Sequence, residues 1–247
     1  MKKMMPEINK KKYTVIGTVT EIPEVTTLYL SCESDMPKHL SGQFITVYLP
    51  ELGTPEGKAY SISSAPGEQM SITVSARGEF SRRLSALTRG DTFFASVPSG
   101  YFYSESNNST LVLLAGGIGI APFRSMIIDS TKKNPSRSIH LFYSNRTMDT
   151  IVFHKTLEEL VSAYPSLKVE HFITREENLP GGITSGRMSA KAIMHTLEKL
   201  PEQGGDGDVE REFFICGSIS FVRDMWRDLK ASGVDEDFLY TEAFFSH

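Results

Sequence analysis

The segment Ala115-Gly-Gly-Ile-Gly-Ile-Ala-Pro122 follows a short apolar run, Leu111-Val-Leu-Leu114, and precedes residues at helical spacing. Gly116, Gly117 and Gly119, around Ile118, allow a tight turn and let the backbone approach a phosphate with no Cβ in the way. A helix N-terminus behind them presents free N–H groups and partial positive charge to an anion. Pro122 suits a first helical turn, where a missing N–H costs little. The chemistry implied is nucleotide binding; the plainer alternative is a tight turn. The pattern departs from the usual dinucleotide fingerprint, because Pro122 replaces its third glycine. Ser144-Asn145-Arg146, rather than an acidic residue, ends the second strand. Two further spots combine reactive types: Tyr60-Ser61, and Cys216-Gly217 after an apolar run. Taken alone, the first reads as an ordinary strand pair and the second as a small buried hydrophobe.

These residues need elements to hold them. From Tyr13 to about Tyr103 the chain reads as strands: residues 13–19, 27–30, 44–49 and 70–75 are β-branched and alternating. Gly, Pro and Asp clusters separate them, which suggests an antiparallel sandwich or barrel. One amphipathic stretch, residues 80–87, interrupts the series. A polar, linker-like segment over residues 104–109 follows. Strand and helix then alternate. Strands are expected at 111–114, 139–143, 169–173 and 213–215. Helices are expected around Phe123, Met126 and Ile127, around Leu157 and Leu160, and around Val222, Met225 and Leu229. Such alternation implies a parallel, helix-covered sheet, which binds ligands at the carboxyl ends of its strands. Residues 202–208, rich in Gly and Asp, read as a flexible loop.

Bulk properties narrow the function. At 247 residues the chain suits two domains. Its net charge of −4 argues against a nucleic-acid binder. Lys2, Lys3, Lys10, Lys11 and Lys12 read as a frayed, solvated terminus, or else as a docking patch for an acidic protein. Two cysteines, Cys32 and Cys216, exclude a disulfide framework and a four-cysteine iron–sulfur cluster within this chain, and no metal site is expected. No apolar run approaches the ~20 residues of a membrane span. The charged N-terminus lacks a signal-peptide core, so a cytoplasmic location is expected.

Taken in order, five motifs resemble the ferredoxin–NADP reductase superfamily, over nearly the whole chain. Lys58-Ala59-Tyr60-Ser61, continuing through Ser64 to Pro66, is similar to the family's flavin motif. Gly78-Glu-Phe80-Ser81 is similar to its pyrophosphate turn. Residues 116–122 resemble its nicotinamide-nucleotide loop. Cys216-Gly217 matches a Cys that lies beside the nicotinamide in the family, and Glu242-Ala-Phe244 resembles a C-terminal motif close to the flavin. The resemblance implies an N-terminal antiparallel β-barrel flavin domain, residues 1–105, and a C-terminal α/β NAD(P) domain with a parallel sheet, residues 106–247. It implies FAD, and NADPH or NADH, as cofactors. The catalytic group would be Ser61, Cys216 and Glu242.

The implied activity is hydride transfer from NAD(P)H to FAD, with electrons passing to a separate acceptor: a ferredoxin, an oxygenase, a haem protein or free flavin. Hydride transfer needs two flat rings stacked in water-poor surroundings. Tyr60 can hold one flavin face by stacking, and the Ser61 hydroxyl can donate where the hydride arrives. Thr174-Arg175 resembles the Ser-Arg pair that binds the 2′-phosphate in NADP-using members, with Arg187 in support, which leans the reading towards NADPH. Lys58 stands where the family usually has Arg. A point charge replaces a planar fork, so looser flavin binding is expected. Two alternatives stay open: a flavin-binding relay or regulatory subunit of a larger complex, and an unreactive flavin-binding module.

Overall fold

The computed structural model describes residues 10–199 and 210–244. Its first half is a six-stranded antiparallel sheet with the strand order β4-β3-β6-β1-β2-β5. The strands are β1 (Lys10–Ile22), β2 (Val25–Cys32), β3 (Phe44–Tyr48), β4 (Lys58–Ser61), β5 (Ser71–Ser75) and β6 (Thr92–Ser96). Alternation decides which face is buried: Tyr13, Val15, Leu28, Leu30, Ile45, Val47, Ile72 and Val74 form one core. The two outer strands are joined as well. Ile62 and Ile72 form an isolated antiparallel bridge, and the Ser63 N–H donates to the Ser71 carbonyl at 2.9 Å. The sheet thus curls around its core as the barrel expectation requires. A short helix α1 (Glu79–Ser85) buries Phe80 and Leu84 against it.

The second half is a six-stranded parallel sheet with the order β10-β9-β8-β7-β11-β12. These strands are β7 (Thr110–Gly116), β8 (Ile139–Asn145), β9 (Leu167–Ile173), β10 (Ile183–Ser185), β11 (Arg211–Ser218) and β12 (Leu239–Phe244). Helices α2 (Ile120–Lys133), α3 (His154–Ala163), α4 (Ala190–Glu198) and α5 (Ile219–Ala231) connect them. The five residues from Leu111 to Ala115 are almost wholly inaccessible, because helices cover both faces of this central strand. The order reverses at β7, which lies between β8 and β11, and the crevice beyond this switch point is where such sheets bind ligands.

Three expectations change. Helix α4 and strands β10 and β12 extend the α/β alternation beyond the four strands and three helices read from sequence. Lys10, Lys11 and Lys12 are not frayed: they pair in register with Ser96, Ala95 and Phe94 of β6. Residues 104–109 are not a loose linker, because Ser104 and Ser109 both donate to the buried Glu212 carboxylate, which also pairs with Arg137. Lys2, Lys3 and residues 202–208 lie outside the described residues.

Candidate functional site at the junction of the two sheets

Strand β4 is a four-residue strand carrying Lys58, Ala59, Tyr60 and Ser61. The Tyr60 ring stacks on Phe80, with centroids 6.3 Å apart and planes 19° off parallel. Phe80 is itself buried beneath it. Tyr60 therefore has one face backed by protein and remains partly exposed. Burial pushes its phenol well above the ordinary value, so it stays neutral. The Lys58 Nζ lies 5.6 Å from the centre of the Phe80 ring. At the start of α1, the Ser81 hydroxyl accepts from the Gly78 N–H at 3.0 Å and donates to the Gly78 carbonyl. That reciprocal contact fixes the turn at Gly78.

The other wall comes from the ends of three parallel strands. Cys216 of β11 is in register with Ala115 of β7 on one side and Glu242 of β12 on the other. The Ser61 hydroxyl donates to Glu242 Oε2 at 3.1 Å, spanning 181 positions of sequence. Tyr60-Ser61 and Cys216 are thereby brought to one junction. Burial raises the Glu242 carboxyl to about 7, although the Ser61 hydrogen bond pulls it down. Cys216 is fully buried. Desolvation, followed by the neighbouring Glu242, drives its thiol well up, so it is a neutral thiol and no nucleophile. Phe244 lies partly buried, in register with Ser218.

The glycine loop forms a 3₁₀ turn, Gly117–Gly119, that leads into α2. Its glycines serve two purposes. Gly117 has φ +54° and nothing within 4 Å of a built Cβ, so its backbone faces open space. At Gly119 a Cβ would fall 2.1 Å from the Cys216 carbonyl oxygen, and at Gly116 it would touch the Phe221 ring at 3.0 Å. Gly217 is likewise covered by Phe221, at 2.8 Å. Close packing of β7 against the end of β11 therefore explains Gly116, Gly119 and Gly217. Gly117 is the loop glycine that this packing leaves unexplained. Phe221 is a site residue that sequence reasoning missed; its place three residues after Ser218, which caps α5, was the available signal.

Asn145-Arg146 and Thr174-Arg175 meet at the carboxyl ends of β8 and β9. The Thr174 N–H donates to the Asn145 carbonyl at 3.1 Å, and the Arg175 N–H to the Arg146 carbonyl at 2.8 Å. Both arginines are exposed, as is Arg187. Asn145 is buried and its Nδ2 has no hydrogen-bond partner among the described residues, an arrangement that costs free energy unless a ligand accepts from it. Ser64 stands apart from the other site residues: it is fully buried, and its hydroxyl accepts from the Ser71 N–H at 2.9 Å.

These features fit a flavin and a nicotinamide nucleotide. Tyr60 offers a backed aromatic face, Ser61 and Glu242 a hydroxyl–carboxyl pair beside it, Gly117 an open backbone before a 14-residue helix, and Asn145 an unspent donor. Among the described residues no group of His, Cys, Asp and Glu has a metal-holding arrangement. None of the described helices is long and apolar enough to cross a membrane.

Comparison with known proteins agrees. Residues 113–227 match the oxidoreductase NAD-binding domain family. The chain is 29% identical to the ferredoxin reductase component of 3-ketosteroid-9-alpha-monooxygenase from Mycolicibacterium smegmatis, over 94% of this chain and 61% of that protein. It is 26% identical to the flavohemoprotein of Bordetella pertussis, over 95% of this chain and 60% of that one. It spans about 60% of the length of the curated relatives it matches. A ferredoxin NADP+ reductase from Neisseria gonorrhoeae, solved with bound FAD and NADP, superposes with a TM-score of 0.77 at 22% identity, covering 97% of this chain and all of that one. Its two-sheet architecture is the fold of that reductase, and residues 113–227 match an oxidoreductase NAD-binding domain.

Proposed function

We propose that this protein is an NAD(P)H-dependent flavoprotein reductase that passes electrons to a separate acceptor, of the haem-protein or oxygenase kind that the names of its relatives indicate. The observation that carries the reading is the Ser61–Glu242 hydrogen bond, with Cys216 in register beside Glu242. It joins a partly exposed aromatic ring and its neighbouring hydroxyl, on the first sheet, to the switch-point crevice of the second. A bound FAD would supply the ring that takes a hydride from the nicotinamide and releases electrons onward. The chain supplies the rest. Tyr60, backed by Phe80, holds one ring face. Lys58 and the Gly78 turn with Ser81 hold the phosphates. When Glu242, poised near neutrality, is protonated and donates to Ser61, the Ser61 hydroxyl is free to donate to the reacting edge, and the accompanying proton passes between Glu242 and that edge through it. The neutral Cys216 thiol and the Phe221 ring keep water from the nicotinamide side. Gly117 and the α2 N-terminus take the pyrophosphate, and Asn145, Arg146, Thr174 and Arg175 take the ribose end. The domains divide near residue 105.

Arg175 and Arg146 together favour NADPH over NADH, since guanidinium groups suit a 2′-phosphate. The two free cysteines suit a reducing, cytoplasmic setting. The decisive experiment is anaerobic. Purified protein loaded with FAD should be yellow and should bleach on addition of NADPH. Failure of the folded protein to take up any flavin overturns the reading. Comparing kcat/KM for the two nucleotides tests the NADPH preference, and a higher value for NADH reverses it.

A further inference from the structure

We infer that Arg124, together with Glu68, is a positioning pair: it locks the segment that follows Tyr60-Ser61 onto the helix that follows the glycine loop, and so sets the alignment of the two rings. The inference rests on the reductase reading above. Arg124 lies in the second turn of α2, five residues after Gly119. Its Nη1 donates to the Ser63 carbonyl at 2.8 Å and to Glu68 Oε2 at 3.2 Å. The neighbouring Ser125 hydroxyl, fully buried, donates to the Ser64 carbonyl at 2.7 Å. His39 Nε2 contacts that same carbonyl at 3.0 Å. Glu68 closes the loop by accepting from the Ala65 N–H at 2.9 Å, and further along α2 Lys132 approaches its other oxygen at 3.7 Å.

Two aspects of this geometry point to alignment rather than to adhesion alone. First, Arg124 and Ser125 grip main-chain carbonyls, so they fix the path of the chain itself. Ser63 is two residues from Ser61, and Ile62 between them is pinned by its bridge to Ile72. Arg124 and Ser125 therefore hold the chain two and three residues beyond Ser61, where it leaves β4. Secondly, α2 starts directly at the glycine turn, whose Gly119 packs on the Cys216 carbonyl. One short helix thus refers both walls of the junction to each other. Burial alone would raise the Glu68 carboxyl, but the Ala65 N–H, Arg124 and Lys132 outweigh it and hold it below the ordinary range, so the pair is ionic at neutral pH.

In the reaction, a hydride (one hydrogen with its electron pair) leaves the nicotinamide C4, leaving NAD(P)+, and bonds to the flavin. Such a step is sensitive to misplacement by about 1 Å, which costs roughly 100-fold. Arg124→Ala is expected to fold, because Arg124 already borders a cavity of about 170 Å³ rather than filling a dry core. Its anaerobic flavin-reduction rate in stopped flow should fall roughly 10–100-fold. The nucleotide Kd and flavin content should stay unchanged, and the long-wavelength charge-transfer absorbance of the nucleotide–flavin complex should weaken. Arg124→Lys should restore part of the rate. Glu68→Gln, which keeps an acceptor for the Ala65 N–H, should act in the same direction and would carry the test if Arg124→Ala failed to fold. In flavin-free protein, amide exchange over residues 63–68 should accelerate in both variants while residues 111–115 stay protected. Wild-type reduction rates in either folded variant would overturn the inference, as would a slowed rate explained wholly by lost nucleotide or flavin. If wild-type protein itself were not reduced, the reductase reading would fail instead, and unaltered exchange over residues 63–68 would then refute the lock on its own.

Discussion

Two carboxylates on neighbouring strands of the parallel sheet, Glu212 and Glu242, have opposite surroundings. Glu212, on β11, accepts from Ser104, Ser109 and Arg137, and Arg137 in turn donates to the Ser109 carbonyl at 2.8 Å and to the Ser104 hydroxyl at 2.8 Å. Both serine hydroxyls and the guanidinium converge on Glu212 Oε2, and the ion pair is almost wholly buried. Glu242, on β12, has a single hydrogen bond among the described residues, from Ser61. The first arrangement holds residues 104–109 against the second sheet. The second leaves a carboxyl that changes charge near neutral pH. The contrast separates a carboxylate held by several partners from one left with a single partner, the kind of surroundings that mark a candidate site.

The strongest way to break that contrast is to remove the structural carboxylate. Glu212→Ala strands a buried guanidinium, which burial already pushes below its ordinary pKa against the pull of Glu212. Breaking a buried pair in this way costs about 3–5 kcal/mol. Urea unfolding of the flavin-free protein at pH 7 should show a loss of that size. A loss under about 1 kcal/mol, the level of exposed pairs, would mean that the network is no better than a surface bridge.

Glu242 makes the opposite prediction. Its folded-state pKa is raised, so the folded state binds the proton more tightly than the unfolded chain does. Its contribution is fully present below the ordinary carboxyl range and is lost as pH rises through about 7. Between about pH 4.5 and 8 the flavin-free protein should lose on the order of 3 kcal/mol through this group, since each tenfold difference in proton affinity between the folded and unfolded chain is worth about 1.36 kcal/mol. Glu242→Gln should flatten that part of the pH profile and exceed wild-type stability at pH 8. Thermal midpoints of both proteins at pH 5 and pH 8 decide it. Parallel profiles for the two would show that Glu242 is ordinarily ionised.

Sequence made these two regions unequally legible. Tyr60-Ser61, the glycine loop, Cys216 and Glu242 are recognisable because each is a local pattern, and the apolar run of β7 announces its own burial. The contact that unites them, Ser61 to Glu242, is a matter of topology: no local pattern predicts a pairing across 181 positions. The Glu212 cluster was hidden for the same reason. Its serines lie in a polar stretch that reads as a loop, and only the parallel register of β11 with β7 brings the carboxylate to them. Helix α4 did carry a signal, with Ala190, Ile193 and Leu197 on one face behind the capping Ser189, whose hydroxyl accepts from the Ala192 N–H at 3.2 Å. The glycines show a related limit. Their spacing suggests phosphate approach at all three loop positions, and packing against Cys216 and Phe221 gives Gly119 and Gly116 a second reason that spacing does not show.

The smallest expected effect extends the same contrast to a cation. Arg137 donates to Ser104, Ser109 and Glu212, but Lys58 makes no ion pair or side-chain hydrogen bond among the described residues and rests over the Phe80 ring, beside the Tyr60 stack. On the reductase reading, that unspent charge waits for a flavin phosphate. A lysine meets a phosphate as a point charge, whereas an arginine grips it with two parallel donors. Lys58→Arg should therefore tighten the flavin dissociation constant by roughly tenfold, equivalent to about 1.4 kcal/mol, with little change in the unfolding of flavin-free protein. Fluorescence titration of the apoprotein with FAD measures the first, and urea unfolding the second. An unchanged dissociation constant would show that Lys58, despite its lack of a partner, does not reach the phosphate, and that its place over Phe80 serves the aromatic stack alone.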